Sequence, residues 1–588
     1  MRDRPNREKR TVVFVTFETE FAKSGGLGAV MGILPKQMAR HEKECFIIAP
    51  YFKNITNLAQ LEQLQKIKSF SYLPPFHFHL STSDKTYTVE MIKVTGLDDF
   101  NTYLLAADGF FTAPSDPYVN PADPTKPMDP YVNPVHPEKL VEDALFFYAA
   151  VPKALISLGK THDLILHLQD WETACVAQAV WNESGIRSAA CLLTLHNPYD
   201  RYLDRNKSSA VISELVGYLG LNYDNVLAQM IPLVDSPLST VSQNFADELT
   251  TSPLHHDVFA EHLQNVLESK GLVGIDNGLF GKLNFPFSKS ARSQAEEGNY
   301  EGIQREKWER REKLSEVIQA YQQELGQSSK ETWGADLILS DPNLPVFLVL
   351  GRDDPRQKGF DVVAAAIRMI PTGKARYVFT PVPGDEGLVG LGFLKKLAED
   401  RPGEVKVFPF KLEPGPFTAL QEGSSFMVMC SLYEPFGAAT EGYLTGMPVV
   451  ARATGGLIQQ VVPYPSAALS RHGRQLAALF HDRNSRPTGF LFREPYSVNE
   501  KEWWKKIVDC EYWNKNPKGD RVDDRTGNPL FDAMAQRAAW AFQDAIELYT
   551  SNQMKYAEII YNGFELLGQF SWDRAVREYQ RLYDRACN

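Results

Sequence analysis

The chain has 588 residues, 43% of them hydrophobic and 23% charged, with a formal net charge of −11. It is too long for one hydrophobic core and has the composition of a globular protein, so several domains, or two large ones, are expected. The acidic balance argues weakly against a nucleic-acid binder, which carries a basic stripe, no apolar run is long enough to span a bilayer, and six cysteines without a CxxC pair suggest neither a zinc site nor a disulfide framework, so a reducing, cytoplasmic setting is expected.

The opening MRDRPNREKR is charged and lacks the apolar stretch of an export signal. Thr11 to Phe17 (TVVFVTF) is short, β-branched and apolar, as a buried parallel strand should be. Gly25, Gly26 and Gly28 follow, then a helical pattern from Val30 to Arg40 and a second strand from Cys45 to Pro50. Strand, glycine loop, helix and strand in that order open a doubly wound domain. DLILHL (163–168) and AACLLTL (189–195) are two more buried strands with a helix between them, and another strand ends in Thr240-Val241-Ser242. Residues 114–137 are rich in proline and repeat DPYVNP; residues 288–335 are charged and include the helical run EKWERREKLSEVIQAYQQEL. Both read as insertions, the second as a surface helix pair or linker.

The pattern then restarts. Pro345–Leu350 is a strand, Gly351–Lys358 a polar turn and Phe360–Ile370 a helix, with further strands at Ala375–Thr380, Val405–Phe408, Ser425–Cys430 and Met447–Ala451. The expected class is therefore α/β, with two doubly wound, Rossmann-like domains facing across a cleft. The first is expected over 1–335, carrying both insertions, and the second over 336–565. A closing helix over 566–588 is expected to pack back on the first. Ligands of such sheets bind beyond the carboxyl ends of the strands, and every candidate residue lies at such an end.

Lys23, Gly25, Gly26 and Gly28 offer a cation and close backbone approach to a phosphate, although the run is equally a tight turn. Arg352 and Lys358, just past a strand, are two cations able to hold a diphosphate and neutralise a leaving group; a solvated turn is the plain alternative. Glu434, in EPFG, is placed to accept hydrogen bonds from sugar hydroxyls, with Glu441 seven positions on able to reach a second set or merely to complement a helix dipole. Thr454, Gly455 and Gly456 form another loop past a strand. In the first half, His167, Asp170, Trp171, His196 and Asn197 follow or end buried strands. No metal-ligand spacing and no nucleophile triad appears.

Together these motifs resemble the glycogen and starch synthases, retaining glycosyltransferases of the GT-B fold. KSGGLG is similar to their lysine–glycine donor loop, and LQDWETA (168–174) and LTLHN (193–197) to two first-half segments. STVSQNFADEL (239–249), GRDDPRQKGFD (351–361), EPFG, MPVVARATGGL (447–457), TGFLF (488–492) and FSWDRAVREY (570–579) continue the match in order over about residues 11–583. The chain departs from the pattern at Ala29, where an aspartate is usual, and at Gln169 and Glu172, the latter in place of a histidine. The arginine–lysine spacing is one longer and the glutamate pair one shorter than usual. A diverged member is implied.

The resemblance implies transfer of glucose from ADP-glucose or UDP-glucose to the non-reducing end of an α-1,4-glucan, with retention. It implies Arg352, Lys358 and Glu434 as catalytic residues. Lys23, Gly25, Gly26, Gly28, Glu441, Thr454, Gly455 and Gly456 would bind donor, and Asp170, Glu172, His196 and Asn197 would contact sugar or acceptor. No cofactor and no metal is expected; the partners are the nucleotide sugar and the glucan, with neither nucleic acid nor membrane. Two other readings stay open: a GT-B transferase with another acceptor, and an inactive glucan-binding homologue.

Overall fold

A computed structural model describes residues 3–22, 26–53, 56–80, 84–111, 137–327, 330–384, 387–509 and 521–588. The chain divides into two compact units. The first comprises Met1–Thr251, Phe259–Phe280 and Ser571–Asn588, the second Ser252–Val258 and Gly281–Phe570. Among the described residues no helix is long and apolar enough to cross a membrane.

The first unit is built on strands β1 (Thr11–Val15), β2 (Glu44–Pro50), β3 (Ser69–Leu80), β4 (Lys85–Thr95), β5 (Asn101–Ala106), β6 (Leu164–Gln169), β7 (Ala189–Leu195), β8 (Leu238–Thr240) and β9 (Leu272–Gly274). They form one sheet in the order β3-β4-β5-β2-β1-β6-β7-β8-β9. β3, β4 and β5 are antiparallel neighbours, and every other pairing is parallel. Both faces are covered, which is why β1, β6 and β7 read as unbroken apolar runs. Alternation along β1 sends Val13 and Val15 into one core, with Leu166, Leu168 and the helix Pro137–Ser157. Val12 and Phe14 enter the other core, with Ile165, Leu192, Val30 and Met31.

The closing helix Trp572–Cys587 belongs to this second core, burying Trp572, Val576, Tyr579 and Tyr583 along one stripe. Each such side chain contributes roughly 1.5–3 kcal/mol, enough to hold a helix of 16 residues that would be marginal alone. Tyr583 bonds His167 Nδ1 at 2.8 Å, while His167 Nε2 meets Thr194 Oγ1 at 2.6 Å. His167 is thus a fully buried fastener between sheet and helix, and burial pulls its pKa down to about 3.

The second unit is wholly parallel: β10 (Val346–Arg352), β11 (Arg376–Val382), β12 (Val405–Val407), β13 (Phe426–Met429), β14 (Val449–Arg452) and β15 (Gly489–Phe492), in the order β12-β11-β10-β13-β14-β15. This is the 3-2-1-4-5-6 arrangement of dinucleotide-binding sheets, with its reversal between β10 and β13.

Two expectations change and one goes untested. The helix expected over Val30–Arg40 is two short ones, Gly26–Met31 and Leu34–Met38, because Pro35 sits in the first turn of the second and cannot continue the first. The segment up to 335, expected with the first domain, packs from Gly281 onward in the second unit. Its helix Glu301–Leu325 lies along the helix Pro414–Gly423, burying Leu314, Ile318 and Tyr321. The insertion expected at 114–137 lies outside the described residues, apart from Pro137, which opens a helix.

Candidate functional site

The second unit brings three loops together at the carboxyl ends of β10, β13 and β14. Arg352 is the last residue of β10 and opens the turn that ends at Gly359. A Cβ on Gly359 would stand 2.2 Å from the Cys430 carbonyl oxygen, and its φ of +61° is left-handed, so only glycine lets this turn press on the end of β13. Leu432 N also donates to Gln357 O at 2.6 Å. This seating delivers Lys358 to Glu434: Nζ donates to Oε2 at 2.8 Å, and Ser431 Oγ donates to the same oxygen at 2.9 Å. Both side chains are mostly buried, Lys358 at 24% and Glu434 at 11% exposure, so the pair is not an idle surface contact.

The third loop holds the Glu434 backbone from behind. Gly456 N donates to the Glu434 carbonyl at 3.0 Å, and a Cβ on Gly455 (φ +47°) would fall 1.7 Å from that oxygen. Thr454 is buried beside them. Glu441 stands in the first turn of the helix Ala439–Leu444. Burial, then the Glu434 charge, pushes its carboxyl up, so the two glutamates share one electrostatic environment.

From beneath, Arg521 Nη1 and Nη2 grip the Asp353 carboxylate at 2.9 and 3.0 Å, and Arg525 Nη1 reaches Asp361 at 2.7 Å. Arg525 Nη2 adds a bond to the Pro355 carbonyl at 2.9 Å. The turn carrying Arg352 and Lys358 is therefore clamped at both ends by buried pairs, the kind whose loss on one side costs about 3–5 kcal/mol.

The first unit gathers a second cluster where its strand order reverses, at the ends of β1 and β6. Asp170 has a φ of +56°, a strained conformation outside glycine that functional positions concentrate. Its Oδ1 accepts from His196 N at 2.6 Å and its Oδ2 from Asn197 Nδ2 at 3.4 Å. His196 Nε2 meets Gln169 Oε1 at 2.8 Å. Gln169 donates its own amide to the His167 carbonyl at 3.2 Å, so its oxygen faces the imidazole. Nε2 must then carry the proton and Nδ1 is left as an acceptor. Burial holds His196 neutral, with its pKa near 3.

Glu172 is buried beside Asp170 at 1% exposure, and its Oε2 has no hydrogen-bond partner among the described residues. Glu18, buried just past β1, accepts from Gly28 N at 3.0 Å. Burial pushes Asp170 up to about 8, opposed by the His196 amide and aided by Glu18. Burial and then Asp170 hold Glu172 well above its ordinary range, with Arg201 pulling the other way. Three carboxyl groups in one dry place cannot all ionise, and burial with the nearby Asp170 favours the protonated form of Glu172. Among the described residues no group of three or more His, Cys, Asp and Glu side chains is disposed to hold a metal ion.

The sequence candidates thus fall into two groups. Arg352, Lys358, Glu434, Glu441, Thr454, Gly455 and Gly456 assemble in the second unit; Asp170, Glu172, His196 and Asn197 assemble in the first. Lys23 and Gly25 lie outside the described residues. Gly26 opens a helix, and the Gly28 N–H, expected to face a phosphate, is given to Glu18. Glu18, Ser431, Arg521 and Arg525 are not singled out by sequence. Only Glu18 carries a usable signal, an acid directly after the first strand.

Known proteins divide along the same line. The family model described as the starch synthase catalytic domain matches residues 11–269, and one described as family 4 glycosyltransferase in conflict systems matches 306–507. A glycogen synthase of Thermosipho africanus is 26% identical over 98% of this chain and 99% of its own. A glycogen synthase of Thermotoga petrophila is 28% identical over 84% of this chain and 93% of its own. The catalytic domain of starch synthase IV from Arabidopsis thaliana, solved with ADP and acarbose, has the same fold, with a TM-score of 0.64 at 18% identity over 98% of this chain and 99% of that one.

Two α/β sheets, one mixed and one wholly parallel, give the chain the GT-B fold, and the family model and relatives make it a glycosyltransferase. With a starch synthase model on its first part and glycogen synthases matching along nearly its whole length, the chain is a glycosyltransferase similar to the glycogen and starch synthases.

Proposed function

We propose that the protein moves glucose from ADP-glucose or UDP-glucose to the non-reducing end of an α-1,4-glucan, keeping the anomeric configuration and using no metal. The observation that carries this reading is the Lys358–Glu434 pair seated on the Gly455–Gly456 loop. It sets a cation and a sugar-type acceptor side by side where a diphosphate must leave a hexose. Arg352 and Lys358 stabilise the departing diphosphate, and in the same reading Lys23, Gly25 and Gly26 are donor-binding residues of the first unit. Glu434 and the Thr454–Gly456 backbone orient the hexose, and Glu441 holds the nucleotide side.

Asp170, with Glu172, His196 and Asn197, forms the part that receives sugar and acceptor. Departure of the diphosphate and attack of the glucan hydroxyl take place on the same face, since no side chain in either cluster is set up as a covalent nucleophile. The plant relative solved with ADP and acarbose supports a nucleotide sugar and a glucan as partners. A cytoplasmic setting belongs to the same reading, and the described cysteines, all free, fit reducing surroundings.

Incubation with labelled ADP-glucose and UDP-glucose, with and without glycogen, tests this reading. Label entering glycogen from either donor is the expected result. Transfer only to a small sugar moves the protein to another acceptor, and glycogen binding without transfer from either donor makes it an inactive homologue; either outcome overturns the proposal.

A further inference from the structure

Gln169 is buried at the carboxyl end of β6 and has no part in the transfer as described so far. Its side-chain amide has two partners and therefore one orientation. Nε2 can only donate, and it does so to the His167 carbonyl at 3.2 Å; Oε1 is thereby turned to His196 Nε2 at 2.8 Å. The backbone pins the residue as well. Gln169 N donates to Thr173 Oγ1 at 2.6 Å, and that hydroxyl donates back to the Gln169 carbonyl at 2.8 Å.

A neutral imidazole has one N–H and one lone pair, and burial keeps the His196 ring neutral. Facing Oε1, His196 Nε2 takes the proton and Nδ1 keeps the lone pair. The His196 side chain is half-buried. Its Nδ1 has no hydrogen-bond partner among the described residues and is not enclosed, so it reaches the surface. Both Asp170 oxygens beside it are buried and already accept bonds, from His196 N and from Asn197, whereas Nδ1 accepts none. The cluster thus presents one open acceptor whose character is decided by a buried residue behind it.

We propose that Gln169 is a positioning residue that sets specificity: by holding the His196 proton on Nε2, it presents Nδ1 as an acceptor for the O–H of a sugar hydroxyl. This deepens the transferase reading above and rests on it. The hydroxyl belongs either to the transferred hexose or to the glucan end, and in both cases it must donate. A fluorine in its place cannot donate and sets a lone pair against the Nδ1 lone pair, so a site built this way rejects it. With the proton on Nδ1 instead, the same fluorine would meet an N–H and be tolerated. The identity of residue 169 therefore decides which of two sugar analogues the site accepts, without touching either.

Two measurements on the full chain test this. With nitrogen-15-labelled histidine, the His196 ring, identified by its loss in His196→Gln, should carry its proton on Nε2 and none on Nδ1 at pH 7. Transfer is then measured with donors and with maltotriose acceptors in which each hydroxyl of the reacting sugar is replaced in turn by fluorine. At one position the parent should lose about tenfold or more in kcat/KM, the scale of leaving one acceptor unpaired. Gln169→Glu sets a carboxylate against Nε2–H, favours the doubly protonated ring and so puts a proton on Nδ1. There the penalty at that position should shrink at least about threefold; the electronic effect of fluorine cancels in the comparison, and the analogue affected tells donor from acceptor. If Gln169→Glu does not fold, Gln169→Met takes its place, and the Nδ1–H form should appear in its ring spectrum. A parent ring protonated on Nδ1, penalties unchanged at every position in Gln169→Glu, or a ring still wholly Nε2-protonated in Gln169→Met would overturn this inference alone. A parent that transfers no glucose from unmodified ADP-glucose or UDP-glucose would overturn the transferase reading and this role with it.

Discussion

Gly455→Ala is the sharpest test of the three-loop arrangement. The new Cβ would stand 1.7 Å from the Glu434 carbonyl oxygen and 2.6 Å from its carbon, and real Cβ contacts stay above 3.0 Å. The obstacle is backbone, so no rotamer change relieves it, and the two loops must part by 1.3 Å or more. The left-handed φ adds about 1–2 kcal/mol for a residue with a side chain. Parting the loops loosens the Gly456 N–H bond to Glu434 and draws the carboxylate off Lys358. Misplacement of a catalytic group by about 1 Å costs roughly a hundredfold in rate. Steady-state transfer from labelled ADP-glucose to glycogen should therefore fall about a hundredfold, while circular dichroism shows a folded chain. Gly392→Ala, where a Cβ meets nothing within 4 Å, is the control and should keep its rate. A folded Gly455→Ala enzyme within threefold of the parent rate would refute the reasoning.

Arg352→Ala and Lys358→Ala should each lower turnover by about a hundredfold, the scale for a lost transition-state charge partner; near-normal turnover in both removes them from the mechanism. Glu434→Gln should mainly lower kcat, whereas Glu441→Gln should mainly raise KM for the donor; a full rate in Glu434→Gln ends the catalytic reading of that residue. Activity should survive excess EDTA, and a complete loss restored by metal would show the diphosphate chemistry to be misassigned. Burial raises Glu172 in the folded chain above its ordinary value of 4.5, so its favourable share of stability is complete below 4.5 and shrinks as pH rises toward the raised one. Glu172→Gln mimics the protonated form, and its melting temperature should fall less than the parent's between pH 5 and pH 8; equal slopes would contradict a proton-bearing Glu172.

Both sheets were legible because their central strands are buried on two faces. TVVFV in the first unit and VFLVL in the second carry no polar interruption and are followed by glycine-bearing turns. The β3–β5 meander has a weaker signature, an alternation of Phe76, Phe78 and Leu80 answered by Tyr87, Val89 and Met91, and the largely exposed first half of β3, with its two prolines, hides it. The boundary near 335 misplaced a helix because its surface charge reads as a linker. Arg311 and Lys307, which look like solvated residues in EKWERREKL, point inward. Charge density along a helix says little about which of its faces is buried when long side chains can carry their charge inside.

The site divides differently. Which residues lie at strand ends follows from local pattern, so the candidates could be listed. What each touches depends on partners remote in sequence: Lys358 and Glu434 are 76 positions apart, and Arg521 reaches Asp353 over 168. No periodicity encodes such a pair; only the sheet order does, by setting β10 beside β13. Glu172 shows the limit most clearly. Read as sequence, it is a histidine replaced by an acid, a change of charge from neutral or positive to negative. Read in place, it sits in a dry pocket with Asp170 and Glu18, where burial and the neighbouring carboxyl groups favour its protonated form. The replacement therefore leaves the net charge at that position close to what a neutral histidine would give. A family departure that looks disabling on paper is electrostatically mild in the fold, which is why the transferase reading survives it.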